Sequence, residues 1–376
     1  MLKLVFTNAQ SSCKPRRKTG IIRAKMKNDL TPILSTMRDI AKAAGVHHST
    51  VSRAMRDDPR VKPETREAIK ALARRMQYAP NPYVTALATQ MRSHSVKQHR
   101  ATIGVLDTCS LWTEEYEEGI RARAAEHGFA VDTIRLRELG GGMGEAGKII
   151  TARGIRGMIA LPVQSQPDFA GLDFRALASA TIDLSLRSPA LHRACADYFQ
   201  GIYLAADTLH AKGYKRIGFC THASEIHRIG VRWLGGYLAW REQRDAAASV
   251  APHISPFLAA RDIAPDELAK LWRESHDAFC RWLDREKPDA IISNIFYFAD
   301  WLKDLGCRIP DDIGFAALGI TPGAAELSGI CQRGRQIGAA AVDLVAGQIY
   351  RNEYGLPSIP TTVLVPSIWI DGATTF

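Results

Sequence analysis

Between positions 47 and 56 the chain sets His47, His48, Ser49, Thr50, Ser52, Arg53 and Arg56 around three apolar residues, Val51, Ala54 and Met55. Coiled as a helix, this spacing turns the apolar three inward and leaves the polar side chains outward. An outward guanidinium can donate two parallel hydrogen bonds to a guanine edge, while hydroxyls and imidazoles reach base edges or phosphates. A helix of this polarity fits the major groove of double-stranded DNA. The chemistry these residue types favour is recognition through hydrogen bonds.

Residues for covalent chemistry are sparse. No G-x-S-x-G, P-loop or H-E-x-x-H occurs, so hydrolase, kinase and metalloprotease reactions lack their residues. Gly142, Gly144 and Gly147 do satisfy G-x-G-x-x-G, with Asp168 roughly twenty residues on, which makes a dinucleotide-dependent α/β enzyme the alternative reading. In such enzymes the glycines directly follow the first strand of the domain. Here Arg137, Glu138, Leu139 and an extra glycine pair intervene after the second, and a flexible surface loop explains the run. His222, Glu225 and His227 match no established zinc spacing, so neither metal nor cofactor is expected. Seven cysteines without a C-x-x-C pair, an odd number, read as reduced thiols of a cytoplasmic protein.

The elements that must position the polar helix are legible on either side of it. Thr36 can cap a helix with Asp39 three residues on, and Met37, Ile40, Ala41 and Ala44 then form one apolar face. Gly45 supplies the positive φ that a tight inter-helix turn needs, and Val46 plugs the corner. A second helix is predicted from His47 to about Met55. A third starts at Pro63, a favoured first-turn residue, with Ile69, Leu72, Ala73 and Met76 on one side. The result is a helix-turn-helix closed by a third helix; an ordinary three-helix packing unit is the plainer alternative. Charge supports the first reading. Residues 1–100 hold 21 Lys and Arg against 6 Asp and Glu, whereas residues 101–376 hold 28 against 33. A basic head on a mildly acidic body suits one face built to displace counterions from phosphates.

From the first helix through YAPNPYVTALATQMRS (78–93) the chain resembles the DNA-binding head of the LacI/GalR family of bacterial transcriptional regulators. Members carry Y-x-P-N-x-x-A-x-x-L after the third helix; here it reads Tyr78, Pro80, Asn81, Val84 in place of the usual alanine, and Leu87. The resemblance implies that hinge segments of two subunits pair as short helices and that each inserts a leucine, here Leu87, into the minor groove to kink the duplex. It implies a homodimer on a pseudo-palindromic operator. His48, Ser49 and Arg53 would contact bases, and Thr50, His47, Ser52 and Arg56 phosphates or adjacent edges, with Thr36 and Asn81 also at the DNA. The expected divisions are a basic, disordered extension over 1–35, the helix-turn-helix over 36–79, a hinge over 80–100 and a core over 101–376.

In the core, apolar runs alternate with helical segments. ATIGVLD, a helix over Glu114–His127, AVDTIRL, a helix near Ala146–Arg153 and RGMIALPV come first. SATIDL, a helix over Gln200–Ala211, RIGFCTH, a helix from about Gly230 to Arg244, a helix over Pro265–Arg285, DAIISN and IGFAALG follow. Such βα alternation implies parallel sheets covered on both faces, and this length exceeds one core, so two α/β lobes with a cleft are expected. The family shares that fold with periplasmic sugar-binding proteins, the chain crossing between lobes three times. The cleft would hold a small effector, a carbohydrate or derivative, through Arg232 or Arg228, Asn294, Phe296 and Trp233, with Tyr237, Tyr297 and Trp301 as further ring faces. One departure is plain: relatives that bind sugars usually show N-D where this chain has Asn294-Ile295. The sequence therefore reads as an effector-controlled transcription regulator of repressor type, with no enzymatic activity and no apolar segment of membrane-spanning length.

Overall fold

The computed structural model describes residues 37–55, 58, 60–76, 78, 101–108, 113–244, 248–256, 264–320 and 326–376. The expected extension over 1–35 and hinge over 80–100 lie outside these. The chain divides into one unit through Thr85 and a second from Ala86.

The first unit contains α1 (Met37–Ala44), α2 (His48–Ala54) and α3 (Pro63–Arg75). Its core is Ile40, Ala41, Val51, Ala54, Val61, Ile69 and Ala73, with Met37, Ala44, Val46, Met55, Leu72, Met76 and Tyr78 packed against it. Gly45 turns at φ +64°, and Pro63 opens α3. Four large aliphatics among those seven core residues, at about 1.5–3 kcal/mol each, leave little margin for truncation.

In the second unit β1 (Thr102–Asp107), α4 (Glu114–Glu126), β2 (Ala130–Arg135), α5 (Gly142–Ala152), β3 (Gly157–Ala160), β4 (Ala178–Ile182) and β5 (His192–Ala196) build one lobe. The chain then crosses at Asp197 into α6 (Tyr198–Ala211), β6 (Ile217–His222), α7 (Ala223–Arg228), α8 (Arg232–Arg241) and β7 (His253–Ser255). There α9 (Pro265–Glu286), β8 (Ala290–Ser293), α10 (Tyr297–Asp304), β9 (Gly314–Leu318) and β10 (Ser328–Cys331) complete the second lobe. At Gln332 and Arg333 it returns, as α11 (Gly334–Arg351) and β11 (Thr362–Val365), and at Pro366 and Ser367 it crosses again to β12 (Ile368–Ile370). Sheet one runs β11-β5-β4-β3-β1-β2, all parallel. Sheet two runs β12-β10-β9-β8-β6-β7, parallel except for β12 against β10. Strands β3, β4, β6, β8, β9 and β10 are buried along their whole length, so they are apolar apart from a few small or hydrogen-bonded polar residues such as Ser179, Thr181 and Thr221.

Two expectations change. The predicted helix at Ala146–Arg153 starts earlier, at Gly142, so the glycine run is helical from Gly142 onward and is no loop there. A Cβ on Gly147 would stand 2.1 Å from the Gly171 carbonyl oxygen, so the residue permits a backbone-to-backbone approach. The helix predicted over Gly230–Arg244 is α8, shortened to Arg232–Arg241, and a helix for which none was predicted, α7, precedes it, the two parted where Gly230 (φ +66°) and Val231 (φ +56°) leave the right-handed region. Segment 334–351, for which no element was predicted, is the long helix α11. Its small residues belong to a contact with α4 so close that a Cβ on Gly338 would lie 2.2 Å from the Tyr116 carbonyl oxygen.

Candidate functional site

On the first unit α2 buries Val51 and Ala54 and exposes His48 and Arg53, with Ser49, Thr50 and Ser52 half-buried. His47 precedes the helix as its cap. Its Nδ1 accepts from the Ser49 amide at 3.3 Å and stands 2.9 Å from the Ser49 hydroxyl. The predicted outward helical position of His47 is thus a capping position, because a ring nitrogen there satisfies an amide that has no partner within the helix. Beyond α2 the Asp58 carboxylate grips the Arg60 guanidinium at 2.6 Å and holds its own proton affinity well below the usual carboxylate range, with Arg53 adding a smaller pull. Thr36, Arg56, Asn81 and Leu87 lie outside the described residues.

In the second unit, residues just past the carboxyl ends of β4, β6 and β8 converge. Asp183 follows β4, is 3% exposed and takes φ +72°. Its carboxylate accepts from the Tyr198 hydroxyl at 2.5 Å, from the Leu184 amide at 2.6 Å and from Arg228 Nη1. Arg228 also donates from Nε at 3.1 Å and from Nη2 at 2.9 Å to Glu225. Glu225 accepts from Asn294 Nδ2 at 3.2 Å, and Thr221 donates to Asn294 Oδ1 at 2.8 Å. Burial acts against the Arg228 charge, but Asp183 and Glu225 outweigh it and hold the guanidinium protonated. Burial together with the Asp183 charge drives the Tyr198 hydroxyl well above the usual phenol range. Nearby, His222 pairs through Nε2 with the Tyr297 hydroxyl, and burial brings its pKa down to about 4 against the opposing pull of Glu225.

Of the residues predicted for the cleft, Arg228 and Asn294 meet in this network. Arg232 is exposed at the start of α8, and Phe296 is 38% exposed before α10. Trp233 is instead 5% exposed and packed edge-on against Tyr198, with ring centroids 5.2 Å apart, so its face is spent on protein. Tyr237 and Trp301 are likewise core. Asp183 and Tyr198 were missed, and Glu225 had been weighed only as a metal ligand. An aspartate ending the strand SATIDL carried a signal, since ligands in such sheets collect beyond strand carboxyl ends. Among the described residues no group of three His, Cys, Asp or Glu could hold a metal: Glu225 is engaged by Arg228 and Asn294, and His222 by Tyr297. No helix among them is long and apolar enough to cross a membrane.

Comparison with known proteins gives two family matches. Residues 36–81 match "Bacterial regulatory proteins, lacI family", and residues 206–375 match "Periplasmic binding protein-like domain". The HTH-type transcriptional regulator MalR of Staphylococcus xylosus is 34% identical over 95 residues, 25% of this chain and 28% of that protein. The chain thus spans about a quarter of the length of the curated relatives it matches first. The HTH-type transcriptional repressor CytR of Escherichia coli (strain K12) is 25% identical over 336 residues, covering 85% of this chain and 92% of that one. Among solved structures, the lac repressor dimer bound to operator and the anti-inducer ONPF shares the fold, with TM-score 0.50 and 19% identity over 91% of this chain and 99% of that one.

Proposed function

We infer that this chain, whose residues 36–81 match the lacI family of bacterial regulatory proteins and residues 206–375 a periplasmic binding protein-like domain, is a DNA-binding transcription regulator of that family, a repressor that reads a pseudo-palindromic operator as a homodimer. A small effector in the cleft between its lobes controls that binding. The observation that carries this reading is the lacI-type helix-turn-helix, whose second helix is anchored by Val51 and Ala54 and presents His48, Ser49, Ser52 and Arg53 on its other side. The solved lac repressor, a dimer on operator, supports the dimeric arrangement. The effector is proposed to be a neutral polyhydroxylated molecule, a carbohydrate or derivative, met by Arg228, Asn294, Phe296 and Arg232; a solved neighbour named as a cellobiose complex supports that class. The protein is proposed to act in the cytoplasm, without enzymatic activity or a cofactor.

The glycines at 142, 144 and 147 support packing better than nucleotide binding, since Gly147 and Gly171 each admit the other segment's backbone. Selection of bound duplexes from a random DNA pool with the purified full-length protein tests the function. A pseudo-palindrome recovered by the parent chain and degraded in Arg53→Ala is the expected result; no enriched sequence would overturn it.

A further inference from the structure

Helix α7 belongs to the second lobe, following β6, yet its last residues hold the first lobe. The Arg228 guanidinium reaches Asp183 beyond β4, and one residue earlier the His227 carbonyl accepts from Arg187 Nη2 at 2.7 Å. Asp183 and Arg187 lie on the same segment after β4, so two hydrogen-bonded links join α7 to a single stretch of the opposite lobe. Both ends of the connection carry unusual backbone. Asp183 stands at φ +72°, and α7 is followed by Gly230 at φ +66° and Val231 at φ +56°, a β-branched residue in a conformation such residues avoid. Val231 is 55% exposed, so burial of its side chain does not compensate.

We propose that α7 is a strap that clasps the lobes together, with Arg228–Asp183 as its latch and Arg187–His227 as its second point of attachment. The Asp183 carboxylate of one lobe holds the guanidinium carried by the other. Glu225, on the same helix as Arg228, orients the guanidinium toward Asp183, and Tyr198 steadies the receiving carboxylate. Both ends of the latch are therefore positioned before they meet, and the partly buried pair is little screened by salt. An arriving molecule opens the strap only by giving Arg228 or Asp183 replacement hydrogen bonds. An effector's differential affinity for open and clasped lobes is then set at these two side chains.

The proposal concerns the two-lobed core and does not rest on DNA recognition. Its test is the interlobe distance in the full-length protein without added small molecules, measured by single-molecule energy transfer. Dyes would be carried on bio-orthogonal amino acids at the exposed positions Lys148 on α5 and Lys303 on α10. The parent chain should give one short distance. Asp183→Asn and Arg187→Ala should each move a large fraction of molecules to a distance longer by several ångströms. Arg244→Gln, which breaks the pair with Asp207 inside the second lobe, should leave the parent distribution unchanged. Should Asp183→Asn prove unfolded by circular dichroism, the exposed Arg187→Ala decides alone. Identical distributions in parent and latch variants, or equal lengthening in Arg244→Gln, would overturn the strap. Because no DNA enters the measurement, failure of the operator selection and failure of the strap are separable.

Discussion

At the scale of single residues, the proposal that α2 reads DNA makes unequal demands on its outward side chains. Arg53 is exposed and lies within the electrostatic reach of Asp58, whose carboxylate is already bound to Arg60. Replacing Arg53 with Ala should cost about 1–3 kcal/mol on the selected operator and relax preference at one position per half-site, read from selection on randomised sites. Leu87→Ala is expected to weaken specific binding far more than non-specific binding, since an intercalated wedge acts only on the kinked site; equal losses would remove the wedge. The fold of the three-helix unit was legible, because Gly45, Val51 and Ala54 lie within one short segment whose spacing dictates their roles. The latch was not. Asp183 and Arg228 are 45 residues apart and meet only because β4 and α7 belong to facing lobes, a pairing no local pattern encodes. Trp233 misled for a related reason: an aromatic near an arginine looks alike in sequence whether its face meets ligand or Tyr198.

At the scale of elements, glycine content was the ambiguous signal. The same G-x-G-x-x-G run serves a phosphate cradle or a close crossing of backbones, and the choice depends on what approaches from elsewhere in the chain. For α5 the approaching group is the Gly171 carbonyl. Gly147→Ala should therefore destabilise the core by about 1–3 kcal/mol in urea unfolding, as overpacking against backbone does. Gly140→Ala meets nothing within 4 Å and should change stability by no more than about 0.5 kcal/mol. Equal, small effects at both positions would argue against a packing role. Helix α11 escaped prediction by the same mechanism. It packs against α4 on one side and sheet one on another, so its small and apolar residues surround it and no single stripe appears.

At the scale of the whole molecule, the second lobe holds two buried histidines in their neutral form. Burial brings His253 down to about 4, with His222 and Arg285 adding to it, and His222 itself lies near the same value. The unfolded chain takes up these protons near the ordinary value of 6.5, so their contribution is complete above that pH and is lost as pH falls toward 4. Each can account for at most about 3 kcal/mol. Urea midpoints should fall between pH 7 and pH 4.5, and less steeply in His253→Phe, whose ring would sit among Phe279, Trp282 and Phe298. An unchanged slope in that variant would clear His253 of the effect. Movement between the lobes obeys a different constraint, set by the three crossings. The first and third are laced to each other, the Asp197 amide donating to Val365 at 2.9 Å and the Ser367 amide to Gln200 at 3.0 Å. Because these two crossings are stitched together, movement of one lobe relative to the other must bend them as a unit.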